Sequence, residues 1–186
     1  MEKGKLIFVS GGVRSGKSSF AEKKAAEWGK KQTLHLNYIA CGVASDSEMR
    51  NRIARHQKSR ASASMNWKTW ECPYELARIA GRFSKQDLLV LDCVTTLVTN
   101  YLFEKNIVAA TDVIDCIGRD IASLQENAAG LIVVSNEVTQ GIPSREALTR
   151  NYQSILGSVH QTIVSWAHAA YLVENSIPIQ KKGIAE

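Results

Sequence analysis

Apolar and polar positions along this chain fall into short blocks with two different spacings. Leu6, Ile7, Phe8 and Val9 form an unbroken apolar run rich in β-branched and aromatic side chains. Leu88 to Leu91, Leu131 to Val134 and Tyr171 to Val173 have the same character, and Leu34 to Ala40, interrupted by His35 and Asn37, reads as a further strand. Short runs that are apolar throughout predict strands covered on both faces, as in a parallel sheet. Between them lie longer stretches with helical spacing: Ser18 to Trp28, closed by Gly29, then Cys93 to Phe103, Ala110 to Asn127, and a long segment from Ser144 to Ala169. Pro73 suits a first helical position and leads into a further predicted helix over Tyr74 to Phe83. Ser45 or Asp46 can cap a helix reaching about Ser59. Arg60 to Asn66 reads as a polar loop and Trp67 to Glu71 as a short strand. The segment IPIQKKG reads as an edge strand or a loose tail.

Strand and helix alternate along the whole chain, which predicts an α/β fold: a mostly parallel sheet with helices on both faces. The 186 residues form one domain's worth of chain, with no repeat, low-complexity tract or linker, so a single domain over residues 1–186 is expected. Apolar residues make up 45% and charged residues 22%, which excludes a disordered chain. No apolar run approaches the roughly 20 residues of a membrane span. The start of the chain is too short in apolar residues for a signal peptide, so a soluble, cytoplasmic protein is expected. Cys41, Cys72, Cys93 and Cys116 form no CxxC pair and have no histidine at zinc spacing, which predicts reduced thiols.

The formal charge of +5 points to an anionic partner without naming it. The basic residues crowd the first 31 positions and the stretch holding Arg50, Arg52, Arg55, Lys58 and Arg60. Aromatic residues do not interleave with them as a nucleic-acid stacking surface would require, so small phosphorylated ligands fit the pattern and nucleic acid is not expected.

Residues 11 to 18 read GGVRSGKS and satisfy G-x-x-x-x-G-K-[ST] between a predicted strand and a predicted helix. Gly11 and Gly16 permit a tight turn whose N–H groups converge on phosphate, with Gly12, Val13, Arg14 and Ser15 completing the cradle. Lys17 adds a positive charge near the β and γ phosphates, and the Ser18 hydroxyl suits Mg²⁺. The helix that follows aims its N-terminus at the same anion. Asp92, at the end of a predicted strand, is a second candidate for Mg²⁺; the same residue type also caps helices.

His56 lies in DSEMRNRIARHQKSR, where Arg52, His56 and Arg60 share one helical stripe. Neighbouring positive charge disfavours the imidazolium, and a neutral imidazole can attack phosphorus. A solvated basic helix face with an incidental histidine is the simpler account of that pattern alone.

Taken together, these motifs resemble the bifunctional adenosylcobinamide kinase / adenosylcobinamide-phosphate guanylyltransferases of cobalamin biosynthesis. The family's GGARSGKS stands here as GGVRSGKS, its YIATS…D.EM as YIACGVASDSEM, and its RI..H…R as Arg52, Ile53, His56 and Arg60. LLVLDCVTTLVTN and VVSNEVTQGI match its two most specific motifs. The chain departs from the pattern at Cys41 and Gly42, Ala61, Thr139, Pro143 and Ser176.

The resemblance implies a RecA-like P-loop sheet and a homotrimer. It implies an ATP- or GTP-dependent phosphorylation of adenosylcobinamide, followed by transfer of GMP from GTP through a GMP–histidine intermediate, with Mg²⁺. By motif alignment it assigns the nucleotidylated histidine to His56, alongside Lys17. Nucleotide contacts fall on Gly11 to Ser18, on Cys41, Gly42 and Val43, on Lys58, Ser59, Arg60 and Ala61, and on Glu71 and Asp92. A simple P-loop small-molecule kinase, and a non-catalytic nucleotide- or nucleic-acid-binding protein, are the alternatives.

Overall fold

The computed structural model describes residues 3–42, 66–138 and 145–183. Its centre is a seven-stranded sheet made of β1 (Lys5–Gly11), β2 (His35–Ala40), β3 (Trp67–Glu71), β4 (Asp87–Asp92), β5 (Gly130–Asn136), β6 (Ala169–Glu174) and β7 (Ile177–Lys182). The strand order is β3-β2-β4-β5-β1-β6-β7. Six strands run parallel, and β7 joins β6 antiparallel at the edge. β5 lies between β1 and β4. The helices are α1 (Lys17–Gln32), a single turn α2 (Ala77–Ala80), α3 (Val94–Thr99), α4 (Ala110–Asn127) and α5 (Ala147–Trp166).

Alternate residues of the central strands feed two cores. On one face Ile7, Val9, Tyr38, Val90, Ile132 and Val134 pack with Ala21 and Ala25 of α1. On the other, Leu6, Phe8, Ile39, Leu91, Leu131 and Val133 pack with α3, α4 and α5 through residues such as Leu97, Ile117, Ile121, Leu156 and Ile163. Both faces are therefore dry, which is why these strands carry no polar alternation. Each large aliphatic side chain so buried contributes about 1.5–3 kcal/mol.

Several boundaries differ from the sequence expectation. The helix expected over Tyr74 to Phe83 shrinks to Ala77–Ala80. Glu75 adopts a left-handed φ of 54°, which a continuing helix cannot contain. Tyr101 Oη accepts from the Glu75 N–H at 2.9 Å, and Asp120 Oδ1 accepts from the Ala77 N–H at 2.9 Å. The segment thus finds distant partners for its backbone donors. The helix expected over Cys93 to Phe103 is α-helical only to Thr99 and widens to a π-turn over Asn100–Glu104. The long last helix ends at Trp166, and Ala169 already belongs to β6. IPIQKKG is the edge strand rather than a loose tail: it pairs with β6 through a two-residue turn whose members, Asn175 and Ser176, have φ of 49° and 66°. Two positive φ values in such a turn match the right-handed twist of a hairpin. The helix expected from Ser45 or Asp46 to about Ser59, and the loop Arg60 to Asn66 up to residue 65, lie outside the described residues.

Candidate nucleotide site

The candidate residues gather at the C-terminal edge of the parallel strands, where an open α/β sheet binds its ligands. Gly11 ends β1; Gly12, Val13 and Arg14 are exposed; Ser15 and Lys17 are buried; Lys17 and Ser18 open α1. Gly16 has φ of 90°, a left-handed value that turns the chain into the helix without a Cβ penalty. The loop is closed on itself: the Ser15 N–H donates to Gly12 O at 3.2 Å, and Lys17 Nζ donates to Gly12 O at 3.0 Å. Lys17 is only 4% exposed, so its ammonium faces the loop rather than bulk water. The first turn of α1 presents its unsatisfied N–H groups and the positive end of its dipole to the same place. Ser15 Oγ is buried with no hydrogen-bond partner.

A second element braces this loop. The Ser176 N–H, in the β6–β7 turn, donates to Ser15 O at 2.8 Å. A Cβ on Gly16 would come within 2.7 Å of Ser176 Oγ, and one on Gly11 within 2.5 Å of Val173 O. The loop is therefore pressed between its own strand and the hairpin. The Asn136 N–H, next to it at the C-terminal end of β5, donates to Thr95 Oγ1 at 2.8 Å, and the Glu137 N–H donates to Gly11 O at 2.9 Å.

Asp92 ends β4, two strands from β1 and so about 10 Å away across the sheet. Its carboxylate points to the α1 face, because Ala40 is its register partner and Tyr38 and Val90 lie on that face. The Tyr38 hydroxyl donates to Asp92 Oδ2 at 2.7 Å. The capping alternative for Asp92 fails: the N-cap of α3 is Cys93, and no side-chain cap bond is made. Asp92 is a strand residue held by a strand tyrosine.

Cys41 and Gly42 follow β2 at the same edge, and the Cys41 N–H donates to Asp92 O at 3.0 Å. Burial pushes the Cys41 thiol well above its ordinary pKa, so it stays protonated and unreactive. Glu71 is exposed at the end of β3, four strands from β1, about 19 Å by strand spacing. It stands apart from the phosphate loop, at a reach suited to the far end of a nucleotide. Val43, His56, Lys58, Ser59, Arg60 and Ala61 lie outside the described residues.

Ser18 and Asp92 offer a hydroxyl and a carboxylate, both hard oxygen donors. Among the described residues no group of three or more His, Cys, Asp or Glu side chains converges as a metal cage. One or two protein oxygens completed by water and phosphate is the arrangement Mg²⁺ takes, so the donor set fits that ion. All four cysteines are free thiols, as expected. Among the described residues no helix is long and apolar enough to cross a membrane.

Sequence reasoning missed Tyr38, Asn136 and Ser176 as parts of this site. Asn136 lies in the VVSNEVTQGI motif and Ser176 is one of the departures from the family pattern, whereas nothing local marks Tyr38; the pairing of strands brings each of them to the loop or to Asp92.

Comparison with known proteins assigns the family. The family model for cobinamide kinase / cobinamide phosphate guanyltransferase matches residues 7–181. The bifunctional adenosylcobalamin biosynthesis protein CobU of Salmonella typhimurium is 35% identical over 188 residues, covering 95% of this chain and 99% of that protein. CobU of Escherichia coli K12 is 34% identical over 190 residues, covering 95% and 99%. The bifunctional adenosylcobalamin biosynthesis protein CobP of Pseudomonas aeruginosa is 33% identical over 180 residues, covering 94% and 96%. With its phosphate loop, its Asp92 strand and this near end-to-end match, the chain belongs to the cobinamide kinase / cobinamide phosphate guanyltransferase family.

Proposed function

We infer that this chain is a bifunctional enzyme that phosphorylates adenosylcobinamide and then joins GMP to the product. The observation that carries the reading is the match over residues 7–181 to a family with both activities, in a chain that carries GGVRSGKS at the end of β1 and Asp92 at the end of β4. That match favours two activities over a simple small-molecule kinase.

In the first stage the terminal hydroxyl of adenosylcobinamide attacks the γ-phosphorus of ATP or GTP. A new P–O bond forms as the bond to the β-phosphate breaks, the nucleoside diphosphate leaves, and the hydroxyl proton is released to water. The main-chain N–H groups of residues 11–18 and Lys17 hold the β and γ oxygens and absorb charge in transfer. Mg²⁺, held through Ser18 and Asp92, would neutralise the same oxygens. In the second stage the His56 imidazole attacks the α-phosphorus of GTP and pyrophosphate leaves. An oxygen of cobinamide phosphate then attacks the GMP–histidine phosphorus, freeing the imidazole and giving adenosyl-GDP-cobinamide. A P–N bond to a protonatable imidazole breaks easily, so two displacements replace one difficult encounter of anions. Cys41, Gly42, Val43, Lys58, Ser59, Arg60, Ala61 and Glu71 complete the nucleotide contacts in this reading. The working form is a cytoplasmic homotrimer.

Intact-mass measurement after incubation with GTP and Mg²⁺ tests it. The expected result is an added GMP that is lost in acid, survives base, and is absent from His56→Asn. Turnover of adenosylcobinamide to its phosphate with no protein adduct at any time would leave only the kinase half.

A further inference from the structure

Tyr38 is 5% exposed, and its ring packs edge-on against Trp67 with centroids 6.4 Å apart. Packing alone asks only for a phenyl ring; the hydroxyl is the part that packing leaves unexplained. It reaches along the strand direction to Asp92 Oδ2, 2.7 Å away, at a length typical of a charge-assisted O–H···O bond. The geometry follows from register. Tyr38 pairs with Val90 and Ala40 pairs with Asp92, so Tyr38 sits one pleat below the carboxylate on the same face. α1, which begins with Lys17 and Ser18, covers that face.

We propose that Tyr38 is a positioning residue for metal binding: its hydroxyl fixes the Asp92 carboxylate so that Oδ1 is presented to the divalent cation of the bound triphosphate. The inference rests on the reading of Ser18 and Asp92 as the Mg²⁺ site. A carboxylate at a strand end otherwise rotates among several orientations, and holding one oxygen removes that freedom before the cation arrives. Partners of this kind behind a metal ligand change metal affinity by about 10- to 100-fold when removed.

The test is a titration of the protein, saturated with a non-hydrolysable GTP analogue, with Mn²⁺ in place of Mg²⁺. Free Mn²⁺ is read by electron paramagnetic resonance. Tyr38→Phe is expected to weaken Mn²⁺ binding about 10-fold. Binding of the analogue in EDTA should stay close to wild type, and the melting temperature is read alongside to show that the variant, which loses one buried hydrogen bond, is folded at the temperature of the titration. In an Asp92→Asn background the Tyr38→Phe change should have no further effect on Mn²⁺, because the group it orients is gone. An unchanged Mn²⁺ affinity in Tyr38→Phe, or an equal loss with and without Asp92, overturns this inference alone. A wild-type complex that takes up no Mn²⁺ beyond that of the free analogue overturns the metal assignment and this inference with it.

Discussion

Gly12 and Gly16 belong to one loop yet face different constraints. Nothing lies within 4 Å of a Cβ built on Gly12, whereas Gly16 has φ of 90° and Ser176 in the space its Cβ would take. Gly16→Ala should therefore lower unfolding free energy by about 1–2 kcal/mol from the left-handed backbone alone, and Gly12→Ala should stay within about 0.5 kcal/mol. Urea denaturation of the two variants checks this; equal losses would contradict it. At this scale the sequence was informative about chemistry and silent about support. The motif marked Gly11 to Ser18 because spacing along the chain is the signal. Tyr38 carries no such signal, since its role depends on which residue of another strand lies beside it. Asp92 was legible as a carboxylate at a strand end, but setting the cap aside took the coordinates: Cys93 holds the cap position and Asp92 accepts from Tyr38.

Elements were legible where the apolar pattern was strong. β1, β2, β4 and β5, and helix α4, fall where the runs placed them, because burial on two faces or one stripe is written in the residues themselves; α1 starts where expected but runs through Gly29, read as its stop, to Gln32. They were misread where backbone groups find distant partners. The π-turn after α3 is one such place. It carries Asn100, whose Nδ2 donates to Cys41 O at 2.9 Å and to Pro73 O at 2.8 Å. One buried amide thus ties the chain leaving β2 to the turn before α2. Asn100→Ala leaves two buried carbonyl oxygens without a donor, and a loss of about 2–4 kcal/mol is expected. Asn100→Asp should be at least as damaging, because a carboxylate would face two carbonyls. Denaturant midpoints of the two variants measure it; an alanine variant as stable as the parent would show that water replaces the amide.

For the whole molecule, the class of fold could be read and the order of strands could not. Alternating strands and helices imply a parallel sheet with two covered faces. Placing β5 between β1 and β4 depends on side-chain fit across the sheet, for which no single segment holds the information. The same tertiary packing creates an acid sensitivity. His160 is 8% exposed, with Nε2 2.7 Å from Ser135 Oγ and its ring 5.1 Å from that of Phe8. Burial lowers its pKa from the usual 6.5, with a smaller opposing effect from Glu137. The unfolded chain therefore takes up a proton at this residue before the folded one does. Stability should be insensitive to His160 above about pH 6.5 and should fall as pH drops below it. His160→Gln should flatten that part of the profile, which denaturation midpoints between about pH 5 and pH 7.5 would show. A parent profile with the same slope as the variant would remove His160 as the cause.

The hairpin brace also bears on how the protein is made. The phosphate loop is synthesised early, but its outer wall is Ser176. Until residues 169–182 have left the ribosome, the nascent chain carries the glycines and Lys17 without the Ser176 wall. A chain stalled short of β6 would hold the motif without that wall.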